Sequence, residues 1–324
     1  MAGDNMEIDF VLIGLNSEKT IESCVKSIKE VSEFLNRYTL KYVDGGSTDN
    51  TLTLVNKIDN LKILHSMGDP TPGKQRNIGF KDGSLEYVMF LDSDTLLMEG
   101  FLERALDSIK KSEIAAVCGR RDEIYPNKTK YNYISNIDWN PSFGEVEAFG
   151  GDVLMKRSVL SKLGGYDEVL VGGEDPEFSR RILKDRYKII RLDIPMTKHD
   201  IDMHTLKQYF KRGYRTGYGY AAVNKIHPEF WGHEIKRILI RGGLSFMFLS
   251  LIPYNSIFLV FLLLILFRPR LSLVKYFEEN LNLDKESATL YSLHASVIVI
   301  PEFLGLVRFY LGQVLSRPLK NKRK

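Results

Sequence analysis

An α/β domain built on a mostly parallel sheet, followed by amphipathic and transmembrane helices, is the fold class that three features of the sequence predict. The first half alternates short apolar runs with helix-period segments, carboxylates stand at the ends of two of those runs, and residues 244–267 carry no charge. Such alternation favours parallel strands joined by crossover helices. The first strand is expected at residues 9–15. A helix opens at Ser17 and turns Ile21, Cys24, Val25, Ile28, Val31 and Leu35 to one face, a spacing of three and four residues. Further strands are expected at 38–43, 61–65, 87–91 and 114–118. Ligands of such sheets lie beyond the carboxyl ends of the strands. Asp44 stands at one such end, after YTLKYV, and Asp92 with Asp94 at another, after YVMFL.

Residues 119–156 hold no sustained period and contain Gly144, Gly150 and Gly151, as a long functional loop region would. A helical pattern resumes near Arg157, breaks at Gly164-Gly165 and returns from about 176 to 186, with a strand expected at 187–192. Residues 205–225 mix cations with aromatics, among them Tyr209, Lys211, Arg212, Tyr214 and Tyr218. This suits either a helix in a lipid headgroup layer or an ordinary packed helix with its cations turned outward. As one helix, residues 244–267 would extend roughly 36 Å, enough for a bilayer core. Pro253 and Asn255 would kink that helix or make it re-entrant. Residues 288–315 are apolar but hold His294, Glu302 and Arg308, which fits a packed second span or an interfacial helix.

A chain of 324 residues, 44% apolar and 27% charged, buries a full core and exceeds one small module. Cys24 and Cys118 fit no metal or redox spacing, which argues against a zinc ribbon or a disulfide framework. The start, MAGDNMEIDF, has no basic segment ahead of an apolar one, so no cleaved secretory signal is expected. The net charge of +4 is mild and no nucleic-acid partner is expected. The basic residues gather at Arg317, Lys320, Lys322, Arg323 and Lys324, a tail suited to anionic lipid.

Chemistry concentrates in short motifs. Asp92-Ser93-Asp94 aims two carboxylates out of a strand end, a pattern that suits a hard divalent cation holding a diphosphate. By itself it is no more than an acidic strand end. VDGGSTDNT satisfies turn chemistry in its own right, with Thr48 or Asp49 capping the next helix. Glu174 and Asp175, followed by Pro176, also suit the first turn of a helix.

Taken in order, NSEKTI, VDGGSTDNT, GKQRNIGF, FLDSDTLL, FGGDVLMKRSVLSKLGGYDE and GGEDPEFSRRI resemble the family 2 glycosyltransferases, which have the GT-A fold, over roughly residues 7–200. The resemblance implies an inverting transfer from a nucleoside-diphosphate sugar, with manganese or magnesium as cofactor. Carried over by position, Asn16, Asp44, Lys74, Arg76 and Asp92 would bind the donor. Asp94 would be the main metal ligand, joined by Asp92 and by His199, for which His204 is an alternative. Asp175 would be the general base, with Glu174 next in line, and Gly151, Asp152 and Glu174 would meet the acceptor. Ile13-Gly14-Leu15 stands where many members have Pro-Thr-Tyr, so no aromatic stacking on the base follows from that position.

The expected organisation is a GT-A catalytic domain at 1–204, an amphipathic basic and aromatic segment at 205–243, and a membrane-associated helical region at 244–324. The acceptor would be a glycan, lipid-linked or polysaccharide, met at a cell membrane with the catalytic domain on the cytoplasmic side. A single crossing would export the basic tail, so an even number of crossings or none is expected. Three rivals remain: a polyprenyl-phosphate sugar synthase of the same fold, a nucleotide-dependent oxidoreductase, and a non-catalytic scaffold on an inactive domain. The second lacks a GxGxxG after the first strand, and the third is opposed by the intact Asp92, Asp94 and Asp175.

Overall fold

The computed structural model describes residues 6–140, 142–271, 273–315 and 319. The chain forms two units, one containing residues up to 126 and 138–201, the other 127–137 and 202–319. In the first unit the strands are β1 (Glu7–Gly14), β2 (Arg37–Asp44), β3 (Leu61–His65), β4 (Tyr87–Asp92), β5 (Thr95–Leu97), β6 (Ile114–Glu123), β7 (Gly144–Glu145), β8 (Val153–Lys156) and β9 (Lys188–His199). They form one sheet in the order β3-β2-β1-β4-β8-β6-β9-β5, with β7 also on β9. The helices up to residue 184 are α1 (Ile21–Val31), α2 (Thr51–Val55), α3 (Pro72–Lys81), α4 (Phe101–Ile109), α5 (Lys130–Asp138), α6 (Arg157–Leu163) and α7 (Glu174–Lys184). Of these, α5 falls almost wholly in the second unit.

The half of the sheet nearest the N-terminus is the parallel array expected, with β1 paired to both β2 and β4 and β3 outside β2. β1 is buried on both faces because helices cover a parallel sheet on each side, hence its unbroken run FVLI. The order reverses between β1 and β4, the switch point at which such sheets bind ligands. The other half is mixed. β8 runs antiparallel to β4 and β6, and it comes from the aperiodic region expected to be loop. β9 is longer than expected. It pairs in parallel with β6 and then antiparallel with β5, setting His199 opposite Thr95.

Far from the switch point, Asp9 is buried and accepts hydrogen bonds from Lys41 at 2.5 Å, Leu85 N at 3.0 Å, Thr39 and Arg157. Burial works to raise its pKa, but these donors outweigh burial and hold the carboxyl below the ordinary aspartate range. Asp9→Ala is expected to cost about 3–5 kcal/mol by stranding Lys41 and Arg157. Because the folded pKa is depressed, the Asp9 contribution is present above the unfolded pKa of about 3.9 and fades as pH falls through the folded value. Urea melts at neutral and acid pH check both: a difference between variant and parent that does not shrink in acid contradicts this account.

The second unit is helical: α8 (Leu206–Ile226), α9 (Gly232–Arg237), a π-turn at Ile238–Gly242, α10 (Gly243–Leu251), α11 (Ile257–Leu271), α12 (Leu273–Leu281), α13 (Lys285–Val297) and α14 (Val299–Val314). α8 is a packed helix. It starts at a Thr205–Gln208 capping box and buries Tyr209, Gly213, Gly217 and Tyr218, leaving Lys207, Lys211 and Arg215 exposed. A Cβ on Gly217 would lie 1.9 Å from the Glu302 carbonyl oxygen, so only glycine lets α8 and α14 approach this closely. Together α13 and α14 make a stretch, Lys285–Val314, long and apolar enough to span a membrane. Its Glu302 pairs with Arg237 at 2.9 Å, and its His294 Nδ1 lies 2.7 Å from the Tyr209 hydroxyl. Residues 244–267 do not form one 36 Å helix: the chain turns at 252–256, where Pro253 has no N–H to continue the ladder. The basic tail at Arg317, Lys320, Lys322, Arg323 and Lys324 lies outside the described residues.

Candidate active site

The carboxyl ends of β1, β2 and β4 open on one crevice. Asn16 sits there with φ of 57°, and its side-chain oxygen accepts from Thr48 N at 2.8 Å. Asp44 folds back on its own loop, accepting from Gly46 N at 2.8 Å, Ser47 N at 3.0 Å and the Ser47 hydroxyl at 2.5 Å. Both side chains therefore shape the turn 44–48. Gln75, which the sequence did not single out, joins the ends of β1 and β2 by donating to the carbonyls of Gly14 and Val43, each at 2.9 Å.

Arg76 is the centre of the site. It lies on α3, whose N-terminus is fixed by Thr71 accepting from Lys74 N and by Pro72 in the first turn. The guanidinium is only 2% exposed and reaches Glu174 at 2.9 Å, Asp175 at 3.2 Å and Asp92 at 3.3 Å, with its carbon 5.3 Å from the Tyr166 ring centre. Carboxylates thus engage both terminal nitrogens, while the buried Nε has no hydrogen-bond partner among the described residues. Lys74 is partly exposed and donates to the Met67 carbonyl. Arg121, also missed, holds the other oxygen of Asp92 at 3.3 Å and stands over Trp139 at 5.3 Å. It reaches the crevice because β6 continues through irregular pairing past Cys118, where the strand was expected to stop.

Asp152 braces the end of β4. Its side chain has no exposed surface; one oxygen accepts from Asp92 N at 3.0 Å and the other from Thr197 at 2.7 Å. It fixes the backbone of Asp92. Burial, eased by Arg121 and reinforced by Asp92, raises its pKa. Glu174, also expected at the acceptor, is nearly buried on Arg76. Gly151 lies directly over the cluster: a Cβ there would stand 2.6 Å from Asp92 Oδ2 and 3.0 Å from Arg76. Gly151→Ala is therefore expected to shift both groups and lower turnover by about a hundredfold, the scale of an ångström of misplacement in a site. An unchanged rate in a folded variant would remove Gly151 from the site.

Asp94 is half exposed, and its Oδ2 lies 3.1 Å from His199 Nε2. The β5–β9 register makes this pairing, and the Trp139 ring packs edge-on against the imidazole at 5.3 Å. His204 instead pairs with Asp202 at 2.7 Å in the second unit. A carboxylate and an imidazole side by side suit manganese or magnesium when substrate oxygens and water complete the shell. Among the described residues no three His, Cys, Asp or Glu side chains are grouped to hold an ion unaided. Asp92, the third expected ligand, has one oxygen on Arg76 and the other on Arg121.

Asp175 stands in the first turn of α7, where the helix dipole favours its ionised form. Burial overrides the dipole. With Arg76 pulling the other way and Glu174 and Asp92 adding to burial, the carboxyl is pushed up to about 8. Its side chain keeps 15% of its surface open. A mostly buried carboxyl whose pKa is raised toward neutrality is suited to take a proton from an entering group.

Residues 9–163 match the family model of glycosyl transferase family 2, and residues 132–206 match the N-terminal domain of galactosyltransferase. Glycosyltransferase AglE of Haloferax volcanii is 24% identical over 221 residues, covering 64% of this chain and 71% of that protein. The O-antigen chain rhamnosyltransferase RfbN of Salmonella typhimurium is 23% identical over 262 residues, covering 76% and 80%. The mannosyltransferase PcManGT from Pyrobaculum calidifontis, solved in complex with GDP-Man and Mn2+, shares the fold with a TM-score of 0.62 at 17% identity, over 93% of this chain and 86% of that one.

Proposed function

Because residues 9–163 belong to glycosyl transferase family 2, we propose that this protein transfers a hexose, with inversion, from a nucleoside-diphosphate sugar to a hydroxyl of a lipid-linked glycan or polysaccharide at the cytoplasmic face of a cell membrane. The relatives support this by name, one being an O-antigen chain rhamnosyltransferase. The observation that carries the reading is Asp175: an acceptor hydroxyl must lose its proton as it attacks, and Asp175 is a partly open carboxyl held for that task beside the strand ends. Asp94 and His199 would hold a manganese or magnesium ion, which when bound supplies positive charge against the leaving diphosphate. Asn16, Asp44 and Lys74 would line the donor pocket. Arg76, Arg121 and Asp152 keep Asp92, Glu174 and Asp175 in place, so that the site needs little rearrangement during reaction.

Thermal melts with a panel of nucleoside diphosphates and their sugars test the donor. At a hundredfold excess over Kd, the right nucleotide with Mn2+ is expected to stabilise the protein by about 2.7 kcal/mol, roughly 5–10 °C, and EDTA to reverse most of that shift. No shift with any nucleotide, with or without Mn2+, would count against a nucleotide-sugar donor.

A further inference from the structure

We propose that residues 243–267 form a re-entrant anchor that enters one leaflet of an anionic bilayer without crossing it, a step that rests on the reading of this transferase as a membrane enzyme. α10 and α11 fold as an antiparallel hairpin. Phe248 stacks on Phe258 and Phe261 with ring centres 6.1 and 5.5 Å apart, and Arg241 donates to the carbonyls of Ile265 and Leu266 at 3.2 and 2.8 Å. The tip closes several of its own polar groups: Tyr254 N bonds Leu251 O at 3.0 Å, Phe258 N bonds Asn255 O at 3.2 Å, and Asn255 Oδ1 accepts from Ile257 N at 2.9 Å. Hydrocarbon demands such closure of a turn lying within it. Each limb of about ten residues rises roughly 15 Å, half of a hydrocarbon core of about 30 Å.

One side of the hairpin is covered, with Leu262 and Leu266 packed on Val299. The other is bare: Leu249, Leu259, Val260, Leu263 and Leu264 are each 45–50% exposed, a continuous apolar face that water does not favour. Charge selects the occupant. Residues 235–277 contain six cations and no acid; Arg237 pairs with Glu234 and Glu302 and Lys275 with Glu279, and Lys236, Arg241, Arg268 and Arg270 leave the sequence around the hairpin net positive. Arg241 marks the base of the hairpin, at the level where a leaflet presents anionic headgroups. A second copy of this chain would set like charges against one another around the same face.

Flotation of the full chain with phosphatidylcholine vesicles, with and without phosphatidylglycerol, tests this. Binding is expected to strengthen with the anionic lipid and to fall about a hundredfold in Val260→Asp, the cost of a carboxylate in hydrocarbon. In Tyr254→Trp, lipids brominated near the chain ends should quench more strongly than lipids brominated near the headgroup. Absent flotation, flotation indifferent to Val260→Asp, stronger shallow quenching, or labelling of Tyr254→Cys from the far side of a sealed vesicle would overturn the proposal. So would a dimer that Val260→Asp splits without any vesicle binding. Hydrolysis of the same panel of nucleoside-diphosphate sugars with Mn2+ keeps the two readings apart. A chain that hydrolyses donor but does not float loses only the anchor, and one that floats but turns over no donor supports the anchor and loses the transferase reading.

Discussion

Asp94→Ala is expected to remove a hundredfold or more of transfer while the fold survives, the usual cost of deleting one group that stabilises charge in a transition state. The carboxylate is half exposed, so its loss empties no space in the core, and the one largely buried group it leaves is His199, whose Nε2 stands 3.1 Å away. Binding should report the same change independently of turnover: Mn2+ titrated in the presence of a nucleoside diphosphate should bind the parent and bind Asp94→Ala at least tenfold more weakly. His199→Ala should show a smaller version of both effects, because the ligand that remains is the charged carboxylate. Activity indifferent both to EDTA and to Asp94→Ala would remove the cation from this site.

The parts of the fold that were legible are those whose burial is complete. β1 and β4 carry unbroken apolar runs because both their faces are covered, and β2 sets Tyr38, Leu40 and Tyr42 at alternate positions, so the carboxyl ends, and with them Asp44, Asp92 and Asp94, were placed by pattern alone. β8 was not: four residues that begin directly after Gly150-Gly151-Asp152 offer too short a period to separate strand from loop. Arg121 was hidden because β6 runs beyond its apolar segment, and nothing in GRRDE tells which charged residue turns inward. Asp152 shows the opposite difficulty, since it sits in a motif yet serves by burial, holding the Asp92 backbone. That His199 stands beside Asp94 depends on strand register, since a one-residue slip would turn it to the opposite face. In residues 244–267 the absence of charge suggested one span, whereas the proline and the Asn255 cap set the turn.

Asp175→Asn is expected to lower transfer by about 10²–10⁴-fold at saturating donor, since it keeps the shape of the side chain and removes its basicity. Donor affinity should change little. The pH dependence carries the sharper test. With the carboxyl pushed up to about 8 in the folded protein by burial, the base is protonated in neutral solution, so single-turnover transfer should rise with pH through that value and the rise should vanish in Asp175→Asn. Stability moves in the opposite direction. A carboxyl whose folded pKa lies above its unfolded value of about 3.9 contributes stability that is complete below the unfolded pKa and is lost as pH rises through the folded one. Asp175→Asn should therefore melt no lower than the parent, and should resist alkali better. Were Asp175 only a favourable acid at the N-terminus of α7, the same change would cost about 0.3–1 kcal/mol of stability and leave transfer almost intact. A phosphate acceptor, which arrives already anionic and needs no base, would likewise leave transfer intact. Near-parental transfer by Asp175→Asn, with no change in its pH profile, would thus favour a polyprenyl-phosphate acceptor or move the base to Glu174, and Glu174→Gln measured the same way would decide between those two.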